Sequence, residues 1–201
     1  MLFIVVTPPQ IYDGEAEFIS RLLGNGVDMI HLRKPDASLS ACANLLDRLT
    51  DEERSHIVIH DFFELAATYS LHGIHLNSRH NAVPTDYVRH VSRSCHSLDE
   101  VATYKNSCNY VFLSPIFDSV SKQWYTAAFD DDELHRASAE DIIDSKVVAL
   151  GGVTPSRVPY LRSLGFGGAA MLGCVSRLVS LPPEEQIHTI REIRNIFNDN
   201  R

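Results

Sequence analysis

The feature that most constrains this chain is a set of eight short, mostly apolar runs, none longer than a single strand, at 2–6, 29–32, 57–59, 73–76, 90–94, 110–113, 147–150 and 168–172. Apolar runs this short read as strands buried on both faces. Between most of them lie stretches of helical periodicity. Segments 15–23 and 39–49 place apolar residues three and four apart. Ser97-Leu98-Asp99-Glu100 reads as a capping box opening a helix that includes Val101 and Tyr104. Thr154-Pro155 reads as an N-cap and first helical residue. Pro182-Pro183-Glu184-Glu185 opens a last amphipathic helix through Ile187, Ile190, Ile193 and Phe197. Strand and helix alternate about eight times, more units than a doubly wound sheet needs. In 201 residues this predicts an α/β fold, a single small (β/α)8 TIM barrel spanning residues 1–201 with some short helices. The crossover around residues 84–88 carries the weakest helical pattern.

Charge narrows the function. With 18 Lys+Arg against 26 Asp+Glu, the net charge is −8, which disfavours nucleic acid and anionic membrane faces as partners. A local site for a small phosphorylated ligand remains open, as does a homo-oligomer. No apolar stretch is long enough to cross a bilayer. Residues 1–6 lack a basic lead-in and a cleavage site, so they read as a buried first strand and the protein as cytoplasmic. Cys42, Cys95, Cys108 and Cys174 form no C-x-x-C and read as ordinary buried thiols. The run Asp130-Asp131-Asp132-Glu133 reads as a helix start, where carboxylates suit the dipole, in preference to a metal site.

In a barrel the working groups sit where strands end and loops begin. Here those places hold Thr7, His31-Leu32-Arg33-Lys34-Pro35, His60-Asp61, His75-Leu76-Asn77, Ser94-Cys95-His96, a long loop from Ser114 to Lys122, Gly151-Gly152, and Gly173. Gly151-Gly152-Val153-Thr154 reads as a phosphate cradle, with Gly165-Phe166-Gly167-Gly168 and Gly173 as a second one. The competing reading is that these glycines only pack tight turns. Arg33 and Lys122 are the candidate anion-binding cations, Lys122 beside the hydroxyls of Ser119 and Ser121. Asp61 reads either as a Mg²⁺ ligand or as an N-cap. His31, His60, His75 and His96 could move protons or ligate a transition metal, but no H-x-x-x-H helical pair supports a metalloenzyme.

In order, these motifs resemble the thiamin phosphate synthase/TenI superfamily over most of the chain. The family's Gln-x-Arg-x-Lys falls on residues 31–35, its Asn-Asp on His60-Asp61, and its His-Leu-Gly-Gln-x-Asp on His75-Leu76-Asn77-Ser78-Arg79-His80. Its Ser-x-His falls on Ser94-Cys95-His96, its Gly-Pro-Ile-Phe-x-Thr-x-Thr-Lys on residues 114–122, and its Gly-Gly-Ile loop on Gly151-Gly152-Val153. The resemblance implies a transferase of thiamin biosynthesis that joins hydroxymethylpyrimidine diphosphate to thiazole phosphate and releases pyrophosphate. By the match, Arg33, Ser94 and Lys122 would act on pyrophosphate and Asp61 would hold Mg²⁺. His31, His60, His96, Ser119 and Ser121 would line the substrate site. Gly152, Leu172 and Gly173 would bind the thiazole phosphate through backbone N–H groups. The departures strike the pyrophosphate and metal half: His31 stands for Gln, Pro35 for Lys, His60 for Asn, and His80 for a second metal aspartate. His31-x-Arg33 and residues 92–97 look more like the TenI branch, yet its tautomerase histidine falls on Pro115. A TenI-type thiazole tautomerase and a non-catalytic barrel binding thiazole phosphate or thiamin phosphate therefore remain as alternatives.

Overall fold

The computed structural model describes residues 1–118 and 127–199. Its strands are β1 (Leu2–Val6), β2 (Met29–Leu32), β3 (Ile57–Ile59), β4 (Gly73–Leu76), β5 (His90–Cys95), β6 (Tyr110–Leu113), β7 (Val147–Ala149) and β8 (Gly168–Met171). They form a closed parallel barrel in sequence order. Closure is made by β1 on β8, in register from Leu2 with Gly168 to Val5 with Met171. The helices between and after the strands are α1 (Glu15–Gly24), α2 (Leu39–Leu46), α3 (Asp51–Arg54), α4 (Glu64–Thr68), α5 (Leu98–Tyr104), α6 (Asp131–Ala139), α7 (Val158–Ser163), α8 (Gly173–Ser176) and α9 (Pro183–Asn198). The chain is thus the predicted (β/α)8 barrel.

Strand alternation divides the core in two. Residues such as Phe3, Val5, Ile30, Leu32, Ile57 and Ile59 face the helices and join one large outer core. Ile4, Val6, Tyr110, Phe112, Val148 and Ala170 form a smaller cluster inside the barrel. The other side of the lumen is polar: His31, His75 and Ser92 are fully buried. The inner layer is therefore largely apolar on β1 and β6–β8, while β2, β4 and β5 bring in imidazole and hydroxyl groups.

Local chemistry explains most element ends, and corrects some expectations. Asp130 caps α6 in a full capping box with Glu133, so that acidic run is a helix start. Ser97 caps α5, but the Glu100 carboxylate reaches past it to accept from the His96 N–H at 2.6 Å, so the reciprocal half of the box is missing. Thr154 makes no cap bond; its hydroxyl meets that of Ser156 instead, and a 3₁₀ turn precedes α7. Between β4 and β5 the described chain runs through turns with no helix. Among the described residues no helix is long and apolar enough to cross a membrane.

The run Gly165-Phe166-Gly167-Gly168 is not part of a phosphate cradle. It enters β8 at the opposite end of the barrel from the Gly151-Gly152 loop. A Cβ on Gly167 would lie 1.8 Å from the Ser145 carbonyl oxygen, so glycine there permits close backbone packing. Gly167→Ala is expected to lower stability by about 1–3 kcal/mol, the usual penalty of overpacking, read as a lower urea midpoint.

Candidate functional site

At the C-terminal mouth of the barrel lies a cavity of about 360 Å³. Its wall brings together Arg33, His60, Ser94, His96, Gly152, Leu172 and Gly173, all singled out from sequence, with Asn77, Ser78, Arg79, Ser114 and Thr154 beside them. Each reaches the mouth for the same reason: parallel strands all end there, and the loop after each begins with its polar residues. Lys122, Ser119 and Ser121 lie outside the described residues.

One side of the cavity is built from backbone. Gly151 and Gly152 both have positive φ, at 92° and 63°. A Cβ on Gly152 would stand 2.3 Å from the Asp118 carbonyl oxygen and 2.7 Å from that of Phe117, so the loop needs glycine to pack on the segment after β6. The glycine pair therefore packs tightly and also lines the cavity. Gly173 opens α8, whose first N–H groups have no partner within the helix.

The other side carries charge. Arg33 and Arg79 are on the wall, and the described lining contains no carboxylate. Arg33 is set by its backbone N–H donating to Thr7 Oγ1 at 3.0 Å. Arg79 is set by Asp61, whose Oδ1 accepts from the guanidinium at 2.9 Å. Asp61 is 5% exposed, and its Oδ2 accepts from the Lys34 N–H at 3.2 Å.

This arrangement bears on Mg²⁺, which wants several oxygen ligands in octahedral array. The Asp61 carboxylate is already neutralised by Arg79, and the imidazole of His80 stands 3.5 Å from it. These residues do not fit a divalent cation. Asp61 is not an N-cap either, since the residue flanking the start of α4 is Phe63.

Beneath the cavity the histidines meet. His31 is fully buried and does not reach the wall: its Nδ1 faces His60 Nε2 at 2.9 Å and its Nε2 faces the Tyr110 hydroxyl at 2.6 Å. His75 places its two ring nitrogens 2.8 Å from Ser92 Oγ and 2.8 Å from Ser94 Oγ. Burial drives the His75 pKa down to about 3 and those of His31 and His60 well below the usual imidazole value. Ring nitrogens of the three lie within 4.8 Å of one another. Yet the His60 and His75 rings stack at 4.1 Å and 20°, so their in-plane lone pairs run side by side instead of converging on an ion. The three rings are neutral and packed together, His31 holding His60 and His75 holding Ser94 in place at the cavity floor.

Arg79 and Tyr110 were given no role from the sequence, and Thr7 and Asn77 were placed at the rim without one. Their signal was positional: each sits at or just beyond a strand, but as a type common on surfaces. Only the lumen-facing alternation of β2 and β6 hinted that His31 and Tyr110 would meet.

Comparison with known proteins follows the same geometry. A family model for thiamine monophosphate synthase matches residues 2–175. The thiamine-phosphate synthase of Photorhabdus laumondii is 27% identical over 170 residues, covering 80% of this chain and 78% of that one. A solved structure described as thiamine phosphate pyrophosphorylase from Bacteroides thetaiotaomicron is 35% identical, covers 100% of both chains and superposes with a TM-score of 0.90. One from Pyrococcus furiosus, at 17% identity over 98% of this chain and 95% of that one, shares the fold with a TM-score of 0.76.

Proposed function

The chain belongs to the thiamine monophosphate synthase family, and from that premise we propose that it joins hydroxymethylpyrimidine diphosphate to thiazole phosphate, releasing pyrophosphate. The observation that carries this reading is one cavity with two unlike anion-facing sides: a glycine-loop side at Gly152 and Gly173, and an arginine side at Arg33 and Arg79. Two phosphorylated substrates need such an arrangement.

The roles follow. Backbone N–H groups of Gly152, Leu172 and Gly173 hold the thiazole phosphate. Arg33 and Ser94 hold the diphosphate of the pyrimidine, with Lys122 assigned the same task on the sequence resemblance. The bond from the pyrimidine methylene carbon to oxygen breaks, its electron pair leaves with pyrophosphate, and the thiazole nitrogen bonds to that carbon. The protein's contribution is to align the two anions, stabilise charge growing on the leaving group, and exclude water. His60 and His96 line the site; Ser119 and Ser121 are assigned there on the resemblance alone, and His31 supports His60 from below. Mg²⁺ is the cofactor the resemblance implies, but the surroundings of Asp61 do not fit it. We take the whole chain to be one barrel domain and place its reaction in the cytoplasm.

Two imidazoles on the cavity wall favour a second reading, proton transfer on a bound thiazole phosphate, as in a tautomerase. Incubating the purified protein with both synthase substrates and following thiamin phosphate and pyrophosphate tests the first. Isomerisation of the thiazole without coupling would support the second, and tight thiazole phosphate binding with neither reaction would make this a binding barrel. Arg33→Ala is expected to lower synthase turnover roughly a hundredfold, as for the loss of one preorganised electrostatic group, while thiazole phosphate affinity stays nearly constant. Equal losses in both would place Arg33 in general folding instead.

A further inference from the structure

We propose that the arginine side of the cavity binds a pyrophosphate-type anion without a divalent metal, Arg79 supplying the charge and Asp61 acting as its positioning residue. The choice of anion rests on the function assigned above; the site itself rests on geometry.

The loop after β4 is closed by Asn77. Its amide donates to backbone carbonyls at the ends of β3 and β4, at 3.0 and 3.3 Å, and its Oδ1 accepts from the N–H groups of Arg79 and His80, at 2.9 and 3.2 Å. That fixes where the Arg79 side chain leaves the backbone. Asp61 then fixes where it ends, through the 2.9 Å contact. Arg79 is 39% exposed while Asp61 is 7% exposed at the side chain, so the carboxylate stands behind and the guanidinium in front. A guanidinium has five N–H donors, and Asp61 engages one nitrogen, so donors remain for the cavity.

Electrostatics choose the ligand. A divalent cation here would face two guanidinium groups and no free carboxylate, and could reach Asp61 only by displacing Arg79. A polyanion meets the reverse: Arg33 and Arg79 on one wall, both suited to bidentate contacts with phosphate oxygens. Where the family pattern has a second metal aspartate, this chain has His80 beside Asp61. The residue before it, Arg79, supplies a cation.

The test is calorimetric titration of the full chain with inorganic pyrophosphate, in EDTA and then with added Mg²⁺. Mg²⁺ complexes pyrophosphate in solution, so at a metal-free site it must lower the apparent affinity, whereas at a metal-dependent site it must raise it. Binding in EDTA, weakened by Mg²⁺, is expected. Arg79→Ala should weaken the EDTA affinity about tenfold to a hundredfold, as for loss of a charge-assisted contact. Because that change leaves the Asp61 carboxylate unpaired, the double variant Arg79→Ala/Asp61→Asn is measured too and should show the same loss in a protein free of the buried charge. Binding that requires Mg²⁺, undiminished EDTA affinity in both variants, or no pyrophosphate binding at all would each overturn the proposal. The readout is binding, so lack of turnover leaves it intact; Mg²⁺-dependent binding would overturn it while leaving the synthase reading standing.

Discussion

Taking the protein from pH 7 to pH 5 is expected to lower its folding stability substantially. An imidazole in the unfolded chain takes up a proton near pH 6.5. In the fold, burial keeps His75 neutral down to about 3 and shifts His31 and His60 in the same direction. Between those limits the unfolded chain binds protons that the folded chain refuses. Stability is therefore complete above pH 6.5 and falls as pH drops towards the folded values. A group that stays neutral contributes a slope of up to about 1.4 kcal/mol per pH unit well below pH 6.5, His75 in full and His31 and His60 in the same sense. A domain's entire stability is about 5–15 kcal/mol. His90, also pushed down to about 4 by burial but less enclosed, steepens the fall. Urea unfolding followed by far-UV circular dichroism at pH 7.5, 6 and 5 measures this. An unchanged midpoint down to pH 5 would mean that water reaches the lumen and the histidines protonate in place.

The second large effect is expected at the root of the arginine side. Lys34 and Glu15 are each 1% exposed and paired at 2.6 Å. The ammonium also donates to the carbonyls of Pro8 at 2.8 Å and Gln10 at 3.0 Å, pinning the loop after β1. Burial raises the Glu15 pKa and lowers that of Lys34, the mark of two charges taken out of water at a cost. Removing one partner strands the other. Glu15→Leu or Lys34→Met should each lose about 3–5 kcal/mol, while the double replacement Glu15→Leu/Lys34→Met should be far milder, since an apolar pair carries no desolvation cost. The cycle is read from unfolding free energies. Single losses below about 1 kcal/mol, the range of exposed pairs, would mean the pair is hydrated.

What the sequence by itself determined is what local burial controls. The first run, at 2–6, became β1 with its bounds unchanged, as did those at 29–32, 57–59, 73–76 and 110–113, because a continuous apolar segment leaves a strand buried on both faces little choice. Counting such runs was enough for a barrel, and the ordered motifs at their ends placed Arg33, His60, Ser94, His96, Gly152 and Gly173 on one rim. The tertiary structure decided what closure brings together. Asp61 and Arg79 are 18 residues apart, and Lys34 and Glu15 are 19 apart. In the sequence Arg79, Lys34 and Glu15 look like ordinary surface charges and Asp61 like a metal ligand or an N-cap, since no local pattern reports an ion pair across two loops. The same holds for His31, which reads as a rim residue until pairing with β3 sets its register and turns its ring into the lumen towards Tyr110. Gly167 had the right composition for a phosphate loop but stands before its strand, not after it, and only the direction of β8 in the barrel distinguishes the two. Periodicity records whether a residue is buried; strand register and barrel closure decide against what, and here that difference turned an expected metal ligand into the anchor of an arginine.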